Sequence, residues 1–270
     1  MSAPVRLAPT FHERVWGVRD LAPWFAEKRA DTKLGEAWFT ADPPLAILPK
    51  FLFTSEKLSV QVHPDGPCGV GKTEMWHILR TEPGATIALG FTRPVSADEM
   101  RQAAVTGEIE KLLRWIPVAP GQTYFIPAGT VHAIGAGLTI CELQQNSDIT
   151  YRLYDYGRRR ELHLDAAIAA TNFDAWRHPG PAAETTLPDG WTRLVECRYF
   201  TTDSLQVSRA ASYQPARSRS ELLICIAGDG RLNGEPFSAG DVWSVPKDSE
   251  PIRVETAGGS KFLRSFLAYT

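Results

Sequence analysis

The segment Gly121–His132, GQTYFIPAGTVH, constrains this chain more than any other stretch. It reads G-x5-P-x-G-x2-H. Gly121 opens a strand at a turn. Pro127 and Gly129 make a sharp bend, and His132 then points back into a barrel. A lone histidine is ordinarily a surface or satisfied core residue. Here the spacing marks His132 as a candidate ligand.

The rest of the chain has the texture this motif needs. Its 270 residues suit one large domain or two small ones, and 21 Gly with 20 Pro favour many turns over a helical bundle. Leu58–His63 alternates apolar and polar residues like a half-buried strand. Met75–Leu79, Thr86–Phe91, Thr123–Pro127 and Leu138–Leu143 continue the series, with a turn at Glu82–Ala85. Ser96 with Glu99 resembles a capping box, and helix formers run from there to Leu113 with a break at Gly107. The plain reading of this insert is a covering helix pair without chemistry. A second helix is predicted over about 164–176, followed by a linker at His178–Pro181. Strands are expected again over Tyr199–Val207, Glu221–Ala227, Gly240–Val245 and Lys261–Leu267. Gly228–Gly234 reads as two turns around a short strand.

Charge and cysteine usage narrow the function classes. Lys plus Arg is 29 against 31 acids, a net charge of −2, which argues against a dedicated nucleic-acid or anionic-membrane binder. No apolar run is long enough to span a membrane or to serve as a signal peptide, so the cytoplasm is the expected location. Cys68, Cys141, Cys197 and Cys225 are scattered, which disfavours a disulfide framework or a zinc-thiolate cluster.

A second cluster lies upstream of the motif. Gln61 and His63 share one face of a strand by its period of two, and Glu74 follows eleven residues later. With His132 they supply two imidazoles, a carboxylate and an amide oxygen. That set suits one divalent metal with an open position. Zinc, iron, manganese, cobalt and nickel all remain compatible with it, and zinc is the expected ion. The alternative is an ordinary polar strand whose Gln and His face solvent. His12, His77, His163 and His178 lack ligand spacing, and His77 reads as a core residue.

The motif resembles that of the cupin superfamily, and the chain from about 11 to 172 resembles the type I phosphomannose isomerases (mannose-6-phosphate isomerases), the short bacterial branch above all. The matching segments include Glu13–Gly17, Gly35–Trp38, Leu48–Phe53, LSVQVHPD at Leu58–Asp65, Gly71–Glu74, and QQNSDITYRLYDYGR at Gln144–Arg158. LSVQVHPD and QQNSD-x3-R are specific; a generic cupin lacks both. The resemblance implies a mainly β fold of two cupin-type jelly-roll barrels, with a short helical insert at about 96–115 and a linking helix. Residues 1–162 would form the metal-binding catalytic domain. Residues 163–270 would form the linking helix and a degenerate, metal-free cupin, since Gly240–Pro246 repeats G-x5-P without a histidine.

The implied activity is a metal-dependent interconversion of D-mannose 6-phosphate and D-fructose 6-phosphate through an enediol. The metal positions fall on His63, Glu74 and His132, with Gln61 as a fourth. The family's active-site arginine falls on Arg152. Lys72 is a candidate acid or base, and Asp148 a group to orient Arg152 or Lys72. Lys50 and Arg158 are candidate phosphosugar contacts, with Arg159 and Arg160 read as a solvated basic turn. Longer family members carry a histidine where Gly71 stands, with a role in ring opening, so that step is open here. A monomer or homodimer is expected, with no nucleic-acid or membrane partner. A non-catalytic, regulatory phosphosugar-binding cupin and an iron oxygenase-like cupin are the other readings.

Overall fold

A computed structural model describes residues 3–67, 69–177 and 180–268. The chain is mainly β. A six-stranded antiparallel sheet runs in the order Pro9–Asp20, Arg29–Phe39, Ile47–Thr54, Leu138–Gln145, Glu74–Thr81, Thr123–Ile126. A five-stranded sheet, ordered Tyr151–Tyr154, Val60–Val62, His132–Ile134, Thr86–Phe91, Leu113–Pro117, packs on one face of it. The strands after residue 184 form a third, ten-stranded sheet, which also takes in Val5–Leu7 beside Val242–Val245.

The two central strands, Ile47–Thr54 and Leu138–Gln145, are buried at every residue, because the six-stranded sheet is covered on both faces. Phe51, Phe53, Cys141 and Leu143 pack against Leu222, Ile224, Val242 and Leu263 of the third sheet. Leu52 and Ile140, on the opposite face, pack with Ile87, Leu89 and Ile134 of the five-stranded sheet. Each fully buried Leu or Phe contributes roughly 1.5–3 kcal/mol. The same inner face carries Lys50, Glu142 and Gln144, all buried, so the strand period aims these polar groups into the sandwich.

The helical insert forms where the sequence places it. Helix Ala97–Thr106 is capped by Ser96, whose hydroxyl accepts from Glu99 N at 3.1 Å, and it ends at Gly107 before a short helix Ile109–Leu112. The predicted helix over 164–176 is shorter, Leu164–Ala170. Thr171 is extended, and Asn172 accepts from Asp174 N at 3.0 Å in a local turn. Residues 175 and 176 then run beside Phe91, with Trp176 N donating to Phe91 O at 2.9 Å. Ala167 joins Met100 and Leu153 in one apolar cluster, so this helix packs on the five-stranded sheet and the helical insert. The two turns expected at Gly228–Gly234 are one: strand Glu221–Leu232 runs through and reverses at Asn233–Gly234. The expected linker starts at His178 and Pro179, which lie outside the described residues, as does Cys68.

Ion pairing fills part of the C-terminal unit. Asp203, fully buried, accepts from Arg264 Nε at 2.9 Å, and that guanidinium lies 4.3 Å over the Trp191 ring.

Candidate metal centre and active site

His63, Glu74 and His132 come from three strand ends at one end of the sandwich, and one ligand atom from each lies within 4.8 Å of the others. Glu74 begins its strand in the six-stranded sheet. His132 begins its own in the five-stranded sheet, directly opposite Gln61. His63 Nδ1 lies 2.9 Å from Ile149 O, and His132 Nδ1 lies 2.8 Å from Thr130 O. A ring nitrogen that faces a carbonyl carries the proton, which leaves both Nε2 lone pairs aimed inward. His63 Nε2 is 3.6 Å from Glu74 Oε2, and His132 Nε2 is 3.4 Å from Glu74 Oε1. The bend at Gly129 builds this arrangement. Its φ of 84° is a left-handed conformation, and its N–H donates to His63 O at 2.8 Å, joining the two histidine segments.

The donor set fits a divalent cation. Glu74 Oε1 is buried without a hydrogen-bond partner. Burial pushes the Glu74 carboxyl up to about 7, against the pull of Lys72. Burial likewise lowers His132 to about 4 and His63 well below its ordinary value, so both imidazoles are neutral at pH 7. Two neutral imidazoles and a buried carboxylate short of a partner make a cation's coordination shell. Gln61 stands beside them, its Nε2 3.3 Å from His132 Nε2 and its Oε1 accepting from Ser59 at 3.2 Å.

A cavity of about 520 Å³ opens next to this cluster. One wall is a cross-strand row of the six-stranded sheet: Trp38, Lys50, Glu142. The facing wall carries Arg152 and Gln61, paired on neighbouring strands of the other sheet, with His132 next in the row. Lys72 bonds Glu74 Oε2 and lies 3.1 Å from His63 Nε2. Burial works against the Lys72 ammonium, but Glu74 and Glu142 outweigh it and raise its pKa. Burial also opposes a charge on Glu142; Lys72 and Lys50 prevail, and its pKa falls below the ordinary carboxylate value. Unlike Lys72, Lys50 has its pKa lowered, chiefly by burial.

No family model matches this chain. A mannose-6-phosphate isomerase of Bacillus subtilis (strain 168) is 32% identical over 93% of this chain and 96% of its own length. The chain belongs to the mannose-6-phosphate isomerase family. The crystal structure of a mannose 6-phosphate isomerase from Bacillus subtilis superposes with a TM-score of 0.85 at 28% identity, covering 98% of this chain and 99% of that one. A zinc-bound mannose 6-phosphate isomerase structure shares the fold, with a TM-score of 0.75 at 14% identity over 98% of this chain and all of its own.

Against that family background, the signature segments have visible mechanical roles. In QQNSD, Gln144 Oε1 accepts from Lys50 at 2.6 Å, while Gln145 holds Thr73 N at 2.9 Å and Gly66 O at 3.1 Å. These contacts pin the loop that delivers Lys72. Gly71 has no room for a side chain. A Cβ there would lie 2.2 Å from Gly66 O.

The other candidates separate. Asp148 and Arg152 both line the cavity, but among the described residues they do not pair. Arg152 Nη1 donates to Glu161 O at 2.9 Å instead. Arg158 is turned away, donating to Lys57 O at 2.7 Å and to Asp155 O at 3.1 Å. Glu142, Glu36 and Arg160 also line the cavity, and the sequence reading assigned none of them a role at the metal or substrate. Glu142 had a legible signal: an acid within a strand otherwise read as core needs a buried partner.

Proposed function

We propose that this chain is a metal-dependent aldose–ketose isomerase that interconverts D-mannose 6-phosphate and D-fructose 6-phosphate. The observation that carries the reading is the His63/Glu74/His132 cluster at a cavity whose walls hold Lys50, Glu142, Lys72 and Arg152. His63, Glu74 and His132 would hold the ion, with Gln61 as a further donor. Zinc is the ion proposed, from the ligand types and the zinc-bound relative. When bound, it supplies Lewis-acid stabilisation of charge on the sugar oxygens.

The chain's own groups move the proton. Glu142, kept ionised by Lys72 and Lys50, takes the C2 proton of the open-chain aldose. The C2–H electron pair becomes the C1=C2 bond, and O1 gains a proton from a lysine ammonium. Return of a proton to C1 and loss of the O2 proton to the lysine complete the ketose, with no net gain or loss. Arg152, permanently charged, stabilises the enediolate as it forms. Asp148 lies at the cavity edge, where it orders the sugar hydroxyls. Residues 1–162 carry this chemistry, and residues 163–270 buttress it. The setting is the cytoplasm, with the chain as a monomer or homodimer. Among the described residues, no helix is long and apolar enough to cross a membrane.

The test is a coupled isomerase assay on a panel of phosphosugars, after metal analysis of the purified protein. Turnover of mannose 6-phosphate that is lost with chelator supports the reading. Tight phosphosugar binding by the metal-loaded chain without turnover would support the regulatory alternative instead.

A further inference from the structure

Arg152 and Arg160 line one edge of the cavity, and Arg160 shares the buried carboxylate of Asp155 with Arg158. Asp155 accepts from Arg160 Nε at 2.7 Å and Nη2 at 2.6 Å, and it lies 3.2 Å from Arg158 Nη2. Arg152 stands beside them. Its Nε is buried with no hydrogen-bond partner, as is Nη1 of Arg158. The other cations of the cavity are each matched by their own acid: Arg14 pairs with Glu36 at 2.5 Å, Lys50 with Glu142 at 3.4 Å and Lys72 with Glu74. Arg152, Arg158 and Arg160 outnumber Asp155 and the exposed Glu161 beside them, and the acids Asp148 and Glu13 also line the cavity. Arg152 and Arg160 face the cavity, whereas Arg158 and Arg159 do not.

Resting on the isomerase reading above, we propose that Arg160 receives the phosphate of the substrate. The fork contact with Asp155 locks the guanidinium plane and leaves Nη1 free for an anion. A phosphate oxygen there finds charge-assisted donors whose geometry is already set, which is how arginine recognises phosphate. The position suits the chemistry. His132, Gln61 and Arg152 sit on three successive strands of one sheet, about 10 Å in all at an interstrand spacing of about 4.8 Å. The reacting C1–C2 end would lie by the histidines, with the phosphate end past Arg152.

The experiment compares Arg160→Gln, Arg160→Lys and the neighbouring Arg159→Gln in the metal-loaded protein, with inorganic phosphate as the simple probe. Arg160→Gln should raise KM for mannose 6-phosphate at least about tenfold while kcat stays within a few-fold. It should weaken inhibition by inorganic phosphate by a similar factor. Arg160→Lys keeps the charge without the fork and should fall in between. Arg159→Gln should match the parent. Unchanged KM and unchanged phosphate inhibition in folded Arg160→Gln overturn the proposal. If the parent turns over no phosphosugar, the isomerase reading fails by itself. Thermal stabilisation by inorganic phosphate still decides the site: lost in Arg160→Gln and kept in Arg159→Gln supports it, and equal in all variants refutes it.

Discussion

Lys50 and Glu142 stand directly opposite each other on neighbouring strands, with Nζ 3.4 Å from Oε2 and both side chains almost wholly out of water. Each is held from a second side. Glu142 Oε1 accepts from Trp76 Nε1 at 2.9 Å, and the Lys50 ammonium sits 4.2 Å over the Trp38 ring. A buried pair of this kind is destabilised by about 3–5 kcal/mol when one partner is removed, because the other charge is left uncompensated. Glu142→Gln keeps the shape and removes the base. It should lower kcat by about 10²–10⁴ and lower the melting temperature, with metal content unchanged. A kcat within a few-fold of the parent would show that Glu142 takes no proton.

The metal centre makes a second prediction. The purified protein should carry about one divalent ion per chain, and a chelator should remove it together with activity. Binding to the folded state alone stabilises by about 4 kcal/mol at a thousandfold excess over Kd, so calorimetry should show a lower melting temperature for the stripped protein. His63→Ala and His132→Ala should bind metal far more weakly. Binding as tight as the parent's by both variants would contradict the ligand assignment.

For Arg152, the expected effect lies in turnover. It donates to Glu161 O and has no ion pair with Asp148. Arg152→Lys keeps a positive charge and loses the planar fork, so kcat should fall about a hundredfold while folding and metal content hold. An effect of only a few-fold in steady-state kinetics would leave Arg152 a structural residue.

His77 supplies a pH prediction away from the metal. It is buried on the outer face of its strand, with Nδ1 2.8 Å from Thr123 Oγ1, and burial lowers its pKa to about 3. A histidine near 6.5 when unfolded and near 3 when folded takes its proton first in the unfolded chain. Its contribution is therefore complete above pH 6.5 and is lost as pH falls from there toward 3. Between pH 7 and 5 the loss is about 2 kcal/mol. Urea unfolding at the two pH values should show a smaller drop for His77→Gln than for the parent. Equal drops would assign the pH sensitivity elsewhere.

The sequence by itself settled what short-range rules settle. Strand period put Gln61 and His63 on one face, the bend at Pro127 and Gly129 announced His132, and Ser96 with Glu99 marked a helix start. These signals depend on residues near in the chain, where turn chemistry and side-chain alternation act directly. The helix expected to reach Trp176 stopped at Ala170, because pairing beside Phe91 is a tertiary contact that helix propensity does not contain. The same limit applies to the cavity walls. Glu142 meets Lys50 through an antiparallel register that joins residues 92 positions apart, and Arg160, read as a solvated turn, is drawn to the cavity edge by Asp155. Which charges face one another depends on which strands become neighbours. That is decided when the two faces of the central sheet bury their apolar side chains together, and only the folded chain fixes it.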